Sequence, residues 1–171
     1  MPCEISERLK AWLNEPRSLV IIGVGNIVRG DDGIGAKVAE HLEKYTSNRM
    51  KVINCEEAPE NFIAQVVSHE PSHVLIIDAV DFGEEPGSMR LVEPKEMKDS
   101  ACYSTHHIPL NLIAELIRLE TGSNTAILGI QPSQTTLGSG LSLPVKESYE
   151  RVIRLLEEAF RSLDAAPSTL E

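Results

Sequence analysis

The sequence predicts an α/β protein: a three-layer α/β/α sandwich around a twisted, mostly parallel sheet of about five strands. Two observations carry this expectation. Short apolar runs alternate along the chain with stretches whose apolar residues recur every three or four positions. The runs are also apolar at successive positions, as strands covered on both faces must be. A length of 171 residues fits a single domain over 1–171.

The elements follow in order. Ile5, Leu9, Trp12 and Leu13 predict a leading helix over 4–14 that Pro16 ends, giving an N-terminal helical extension over 1–17. Residues 19–24 are the first strand. After a glycine-rich turn, Ile34, Val38, Leu42 and Tyr45 predict an amphipathic helix over 32–46. "MKVINC" at 50–55 is a second strand, and "APENFIAQVVSH" a helix with proline near its start. "HVLIIDAVD" at 73–81 is a third strand. "GSMRLVEP" at 87–94 follows after too short a loop for a crossover helix, which suggests an antiparallel edge strand. A helix over 109–120, a strand over 125–132 and a long helix carried by Val145, Tyr149, Val152, Leu156 and Phe160 complete the chain. Residues 163–171 read as a flexible tail.

Composition excludes several functions. The formal net charge of −10 opposes nucleic acid and anionic membrane surfaces as partners, since both demand a basic footprint. Cys3, Cys55 and Cys102 are too widely spaced for a CxxC metal site and too few for a disulfide framework. The opening "MPCEISERLK" lacks a basic start followed by an apolar stretch, and no apolar run nears ~18 residues. A cytoplasmic monomer without membrane insertion is expected.

Ligands of open α/β sheets bind beyond the carboxyl ends of the strands. The polar residues delivered there are Asn26, Asp31 and Asp32 after the first strand, Glu56 and Glu57 after the second, Asp78 and Asp81 at the third, and Gln131 at the last. Asn61, near the start of the helix after the second strand, and the loop "SQTTLGSGLSL" at 133–143 complete the candidate cleft. "GVGNIVRGDDGIG" at 23–35 is not a dinucleotide fingerprint. Val28 stands where the third glycine belongs, no P-loop Lys-Ser or Lys-Thr follows, and two aspartates would face the pyrophosphate. Helix capping accounts for one aspartate of the pair. The second, among Gly30, Gly33 and Gly35, leaves room for a ligand role.

Asp78 ends the apolar run Val74-Leu75-Ile76-Ile77, where an unpaired carboxylate is costly. Either loop amides or a cation must satisfy it. "YSTHHIPLN" at 103–111 brings His106 and His107 to the start of a helix, and one imidazole of the two is enough for a ligand. Two carboxylates and one imidazole make a three-ligand site suited to zinc, nickel or manganese.

Four ordered motifs, "GVGNIVRGDDGIG", "SHVLIIDAVDFGEEPGSMRL", "STHHIPLN" and "LGIQP", resemble the [NiFe]-hydrogenase maturation endopeptidases, most closely the subgroup serving the formate-hydrogenlyase hydrogenase. The resemblance runs from Leu19 to Phe160. It implies an endopeptidase that removes the C-terminal extension of the hydrogenase large-subunit precursor once nickel is inserted, cutting after a basic residue or histidine. Nickel supplied by that precursor would be the recognition element. The resemblance also implies metal ligation by Asp32, Asp78 and His106, with catalysis by Asp32 and Asp78 in a metal- or aspartate-assisted hydrolysis. Asn26, Glu57, Asn61 and Gln131 are candidate substrate contacts. A non-cleaving nickel-dependent chaperone and a nucleotide-binding module are the alternatives.

Overall fold

Leu19–Val24 (β1), Met50–Glu56 (β2), His73–Ala79 (β3), Met89–Val92 (β4) and Asn124–Ile130 (β5) form one sheet in the spatial order β2-β1-β3-β5-β4. This computed structural model describes residues 2–97 and 108–165. Neighbouring strands are parallel except β4, which lies antiparallel to β5 at the sheet edge, as the short loop before it suggested. The helices are Pro2–Trp12 (α1), Ile34–Leu42 (α2), Ile63–Ser68 (α3), Leu110–Thr121 (α4) and Leu143–Ala165 (α5).

The doubly apolar strands feed two cores because successive side chains point to opposite faces. Leu19, Ile21, Leu75, Ile77 and Leu128 face α1, α2 and α5. Val20, Ile22, Val74, Ile76 and Ile127 face α3 and α4. The central strands β1, β3 and β5 are therefore buried at nearly every position, which explains the continuous apolar runs that predicted burial on both sides.

The leading helix is part of the first core. Ile5, Leu9 and Leu13 are buried with Leu91, Leu128 and Phe160. The Arg8 guanidinium donates to Leu91 O at 3.2 Å. Trp12 Nε1 donates to Asn124 Oδ1 at 3.1 Å, and its ring meets His73 edge-on at 5.2 Å. Leu9→Ala is expected to cost about 2 kcal/mol, the low end for a buried leucine because a peripheral helix can settle into part of the space. Chemical denaturation reads this directly.

The tail expected over 163–171 is shorter than the sequence suggested. α5 continues to Ala165 because Leu163 extends the apolar stripe of Leu156 and Phe160 and is buried. Arg49 Nη1 also donates to Leu163 O at 2.9 Å, satisfying a carbonyl that the helix end leaves open. Residues 166–171 lie outside the described residues. Among the described residues, no helix is long and apolar enough to cross a membrane.

Candidate active site

The sheet order fixes where a site can form. From β1 the chain crosses by α2 to β2 on one side, then by α3 to β3 on the other side of β1. The carboxyl ends of β1 and β3 therefore flank a topological switch point, where loops diverge and leave a crevice. Asp32 lies in the 3-10 turn Gly30–Gly33 that follows β1, and this turn packs on β3. Asp78 is the penultimate residue of β3. The structure thus brings these two sequence-predicted residues to one sheet edge, Asp32 in the turn after β1 and Asp78 on the adjacent strand β3.

Gly35 makes that approach possible. A Cβ there would run into the carbonyl oxygens of Ile77 and Val24, so the first turn of α2 sits directly on the ends of β3 and β1. This glycine does the close-packing work that a dinucleotide fingerprint gives to its third glycine, at a different position.

Both carboxylates are held by backbone. Asp32 Oδ2 accepts the Asn26 N–H at 3.0 Å, and Asp78 Oδ1 accepts the Ala79 N–H at 2.8 Å. Asp78 is fully buried and Asp32 nearly so. Strand alternation turns Asp78 toward the face covered by α3 and α4. Two carboxylates at one sheet edge offer the oxygen donors that a divalent cation takes. His106 and His107, the imidazoles expected to complete the set, lie outside the described residues, as does Cys102. Among the described residues, no three His, Cys, Asp or Glu side chains gather as a metal cluster.

The capping expectation is corrected for Asp31. The N-cap positions, Arg29 and Gly33, make no side-chain capping bond. The buried Asp31 carboxylate instead accepts the backbone N–H groups of Ser133 and Gln134 at 2.8 and 3.0 Å and that of Ser142 at 2.7 Å, with the Ser142 hydroxyl also at 2.7 Å. Its partners lie more than a hundred residues away, so no local pattern could have revealed them. The glycine- and serine-rich loop after β5 is consequently tied down.

The remaining candidates separate. Asn26 and Glu57 line a cavity of about 470 Å³ with Glu40, Glu43, Asn54 and Glu56, an acidic recess at the end of β2. Asn61 is exposed in the turn Pro59–Phe62 and Gln131 is buried, and neither lines this cavity. Gln131 is occupied inside the fold. Its Oε1 accepts the N–H groups of Phe82 and Glu84 at 2.7 and 3.3 Å, while its amide donates to Asp81 Oδ1 at 3.1 Å. It braces the loop after β3. The Gly83 N–H and then the Gln131 amide hold the Asp81 carboxyl below the usual carboxylate range, so Asp81 serves that turn. Gln131→Leu should cost about 1–3 kcal/mol by stranding the Phe82 and Glu84 donors. Thermal unfolding and amide exchange at those residues measure the loss.

Cys55 is not a nucleophile. Burial, and secondarily Glu60, push its thiol up to about 12, far from the depressed values of reactive cysteines.

Comparison with known proteins agrees with this fold. Residues 36–159 match the hydrogenase maturation protease family HycI. The chain is 33% identical over 138 residues to the hydrogenase 3 maturation protease of Escherichia coli K12, covering 81% of this chain and 88% of that one. The crystal structure of the [NiFe] hydrogenase maturation protease HycI from Thermococcus kodakarensis superposes with a TM-score of 0.81 at 34% identity, covering 90% of this chain and 99% of that one. The solution structure of the endopeptidase HycI from Escherichia coli gives a TM-score of 0.73 at 32% identity, with 82% and 90% covered. With a buried aspartate at each lip of the switch-point crevice and this likeness along most of its length, the chain belongs to the hydrogenase maturation protease family and is a peptidase.

Proposed function

We propose that this peptidase removes the C-terminal extension of a [NiFe]-hydrogenase large-subunit precursor after nickel insertion, with the nickel held by that precursor as its recognition element. The observation that supports this most is the presence of two buried carboxylates at one sheet edge, Asp32 in the turn after β1 and Asp78 near the end of the adjacent strand β3. Their backbone hydrogen bonds fix each carboxylate in orientation before substrate arrives. Together with His106 they grip the nickel that the precursor presents, which docks the scissile peptide beside them. Affinity then depends on a loaded precursor, and cutting becomes a check on metal insertion. A carboxylate of the pair takes the proton from the attacking water as it adds to the peptide carbonyl.

Asn26 and Glu57 are the substrate contacts favoured by their shared cavity. Its four glutamates suit a basic side chain preceding the cut bond. A cytoplasmic setting fits a substrate that is processed during assembly. Mass spectrometry of nickel-loaded precursor incubated with this protein tests the proposal. A product shortened at its C-terminus is expected. Intact precursor retained in a stable complex would favour a chaperone and reject cleavage.

A further inference from the structure

We propose that Asp31 is a positioning residue, which sets loop 133–142 as one wall of the peptide-binding edge beside Asp32. The inference rests on the proposed function above and assigns the wall that captures the substrate chain. The Asp31 carboxylate is fully buried, yet all four hydrogen bonds it accepts come from Ser133, Gln134 and Ser142, none from its own helix. Leaving a buried carboxylate unsatisfied is costly, so its burial fixes both ends of the loop at once.

Backbone contacts run the other way and along the middle. The Asp31 N–H donates to Gln134 O at 2.8 Å, and the Gly138 N–H donates to Val28 O at 2.7 Å. Gly30 has φ +56, and a Cβ on it would stand 2.6 Å from Ser139 Oγ and 2.7 Å from Gln134 O. Turn and loop are therefore in direct contact with no room for a side chain between them.

This joint presents aliphatic groups to solvent. Leu137 is 68% exposed, beside the Gly138 that bonds Val28, while Ile27 and Val28 are 52% and 51% exposed. A polypeptide substrate reaching Asp32 offers apolar side chains and backbone to such a rim. Asp32 itself accepts the Asn26 N–H at 3.0 Å, a bond made within its own turn. Loosening the loop should therefore weaken capture of the substrate while leaving the chemical step intact.

Steady-state cleavage of nickel-loaded large-subunit precursor from the same organism separates these effects. Asp31→Asn places an amide against N–H donors and is expected to raise KM about tenfold with kcat within about twofold. Ser142→Ala, which removes one of the four bonds, should raise KM by about threefold, as should Leu137→Ala at the exposed tip. Hydrogen exchange should show lost protection confined to 133–142 in Asp31→Asn. If Asp31→Asn does not fold, the Ser142→Ala and Leu137→Ala values decide the matter. Unchanged KM in both, or a fall in kcat at unchanged KM, overturns the inference alone. A parent protein that leaves the precursor uncut overturns the proposed function and this inference with it.

Discussion

Asp78→Asn is expected to lower precursor processing by about a thousandfold while the protein stays folded. The substitution is nearly isosteric, and the asparagine carbonyl can still accept the Ala79 N–H that now reaches Asp78 Oδ1 at 2.8 Å. The interior around the fully buried residue therefore keeps its shape. What disappears is the negative charge, and with it both the grip on a cation and the capacity to take a proton. The melting temperature should therefore stay high enough for the folded variant to be assayed, which circular dichroism checks. Processing at the parent rate by a folded Asp78→Asn protein would reject the role given to this carboxylate.

Gly35→Ala is expected to be among the most disruptive single methyl additions in the described residues. Its Cβ would run into the carbonyl oxygens of Ile77 and Val24, which are backbone and cannot rotate away. Either α2 lifts or the ends of β1 and β3 part, and both moves displace the turn that carries Asp32. A cost of about 3 kcal/mol or more follows for overpacking against fixed atoms. For a chain of this length that is a fall of about 10 °C in melting temperature. Cleavage measured well below the new melting point should still be lost, because the defect lies at the site itself. A folded, active Gly35→Ala protein with parental stability would show that this close approach is unnecessary.

Most of the fold was legible because the physics that shapes it is local. Continuous apolar strands and helices with apolar stripes have periods that survive any tertiary context, and the two cores read them out on opposite faces. Asp78 was legible for a related reason: a carboxylate at the end of four buried aliphatic residues violates the local pattern. The roles of Asp31 and Gln131 were not legible. Both satisfy backbone donors brought to them by the return of distant segments, the loop after β5 for Asp31 and the loop after β3 for Gln131. Sequence patterns offer helix capping for an aspartate at a helix start, because the helix supplies nearby donors. Here a tertiary loop supplied better-placed ones. The extra turn of α5 escaped notice because a single leucine, Leu163, sets it, with Arg49 closing the helix end from another segment.

The central claim is that Asp32 and Asp78 act on a polypeptide through the nickel that the substrate carries. Cleavage of one precursor preparation, divided into nickel-loaded and nickel-free halves, tests it most directly. The account predicts a shortened product from the loaded half alone, lost when Asp32 or Asp78 is replaced by asparagine. Equal shortening of both halves would contradict it.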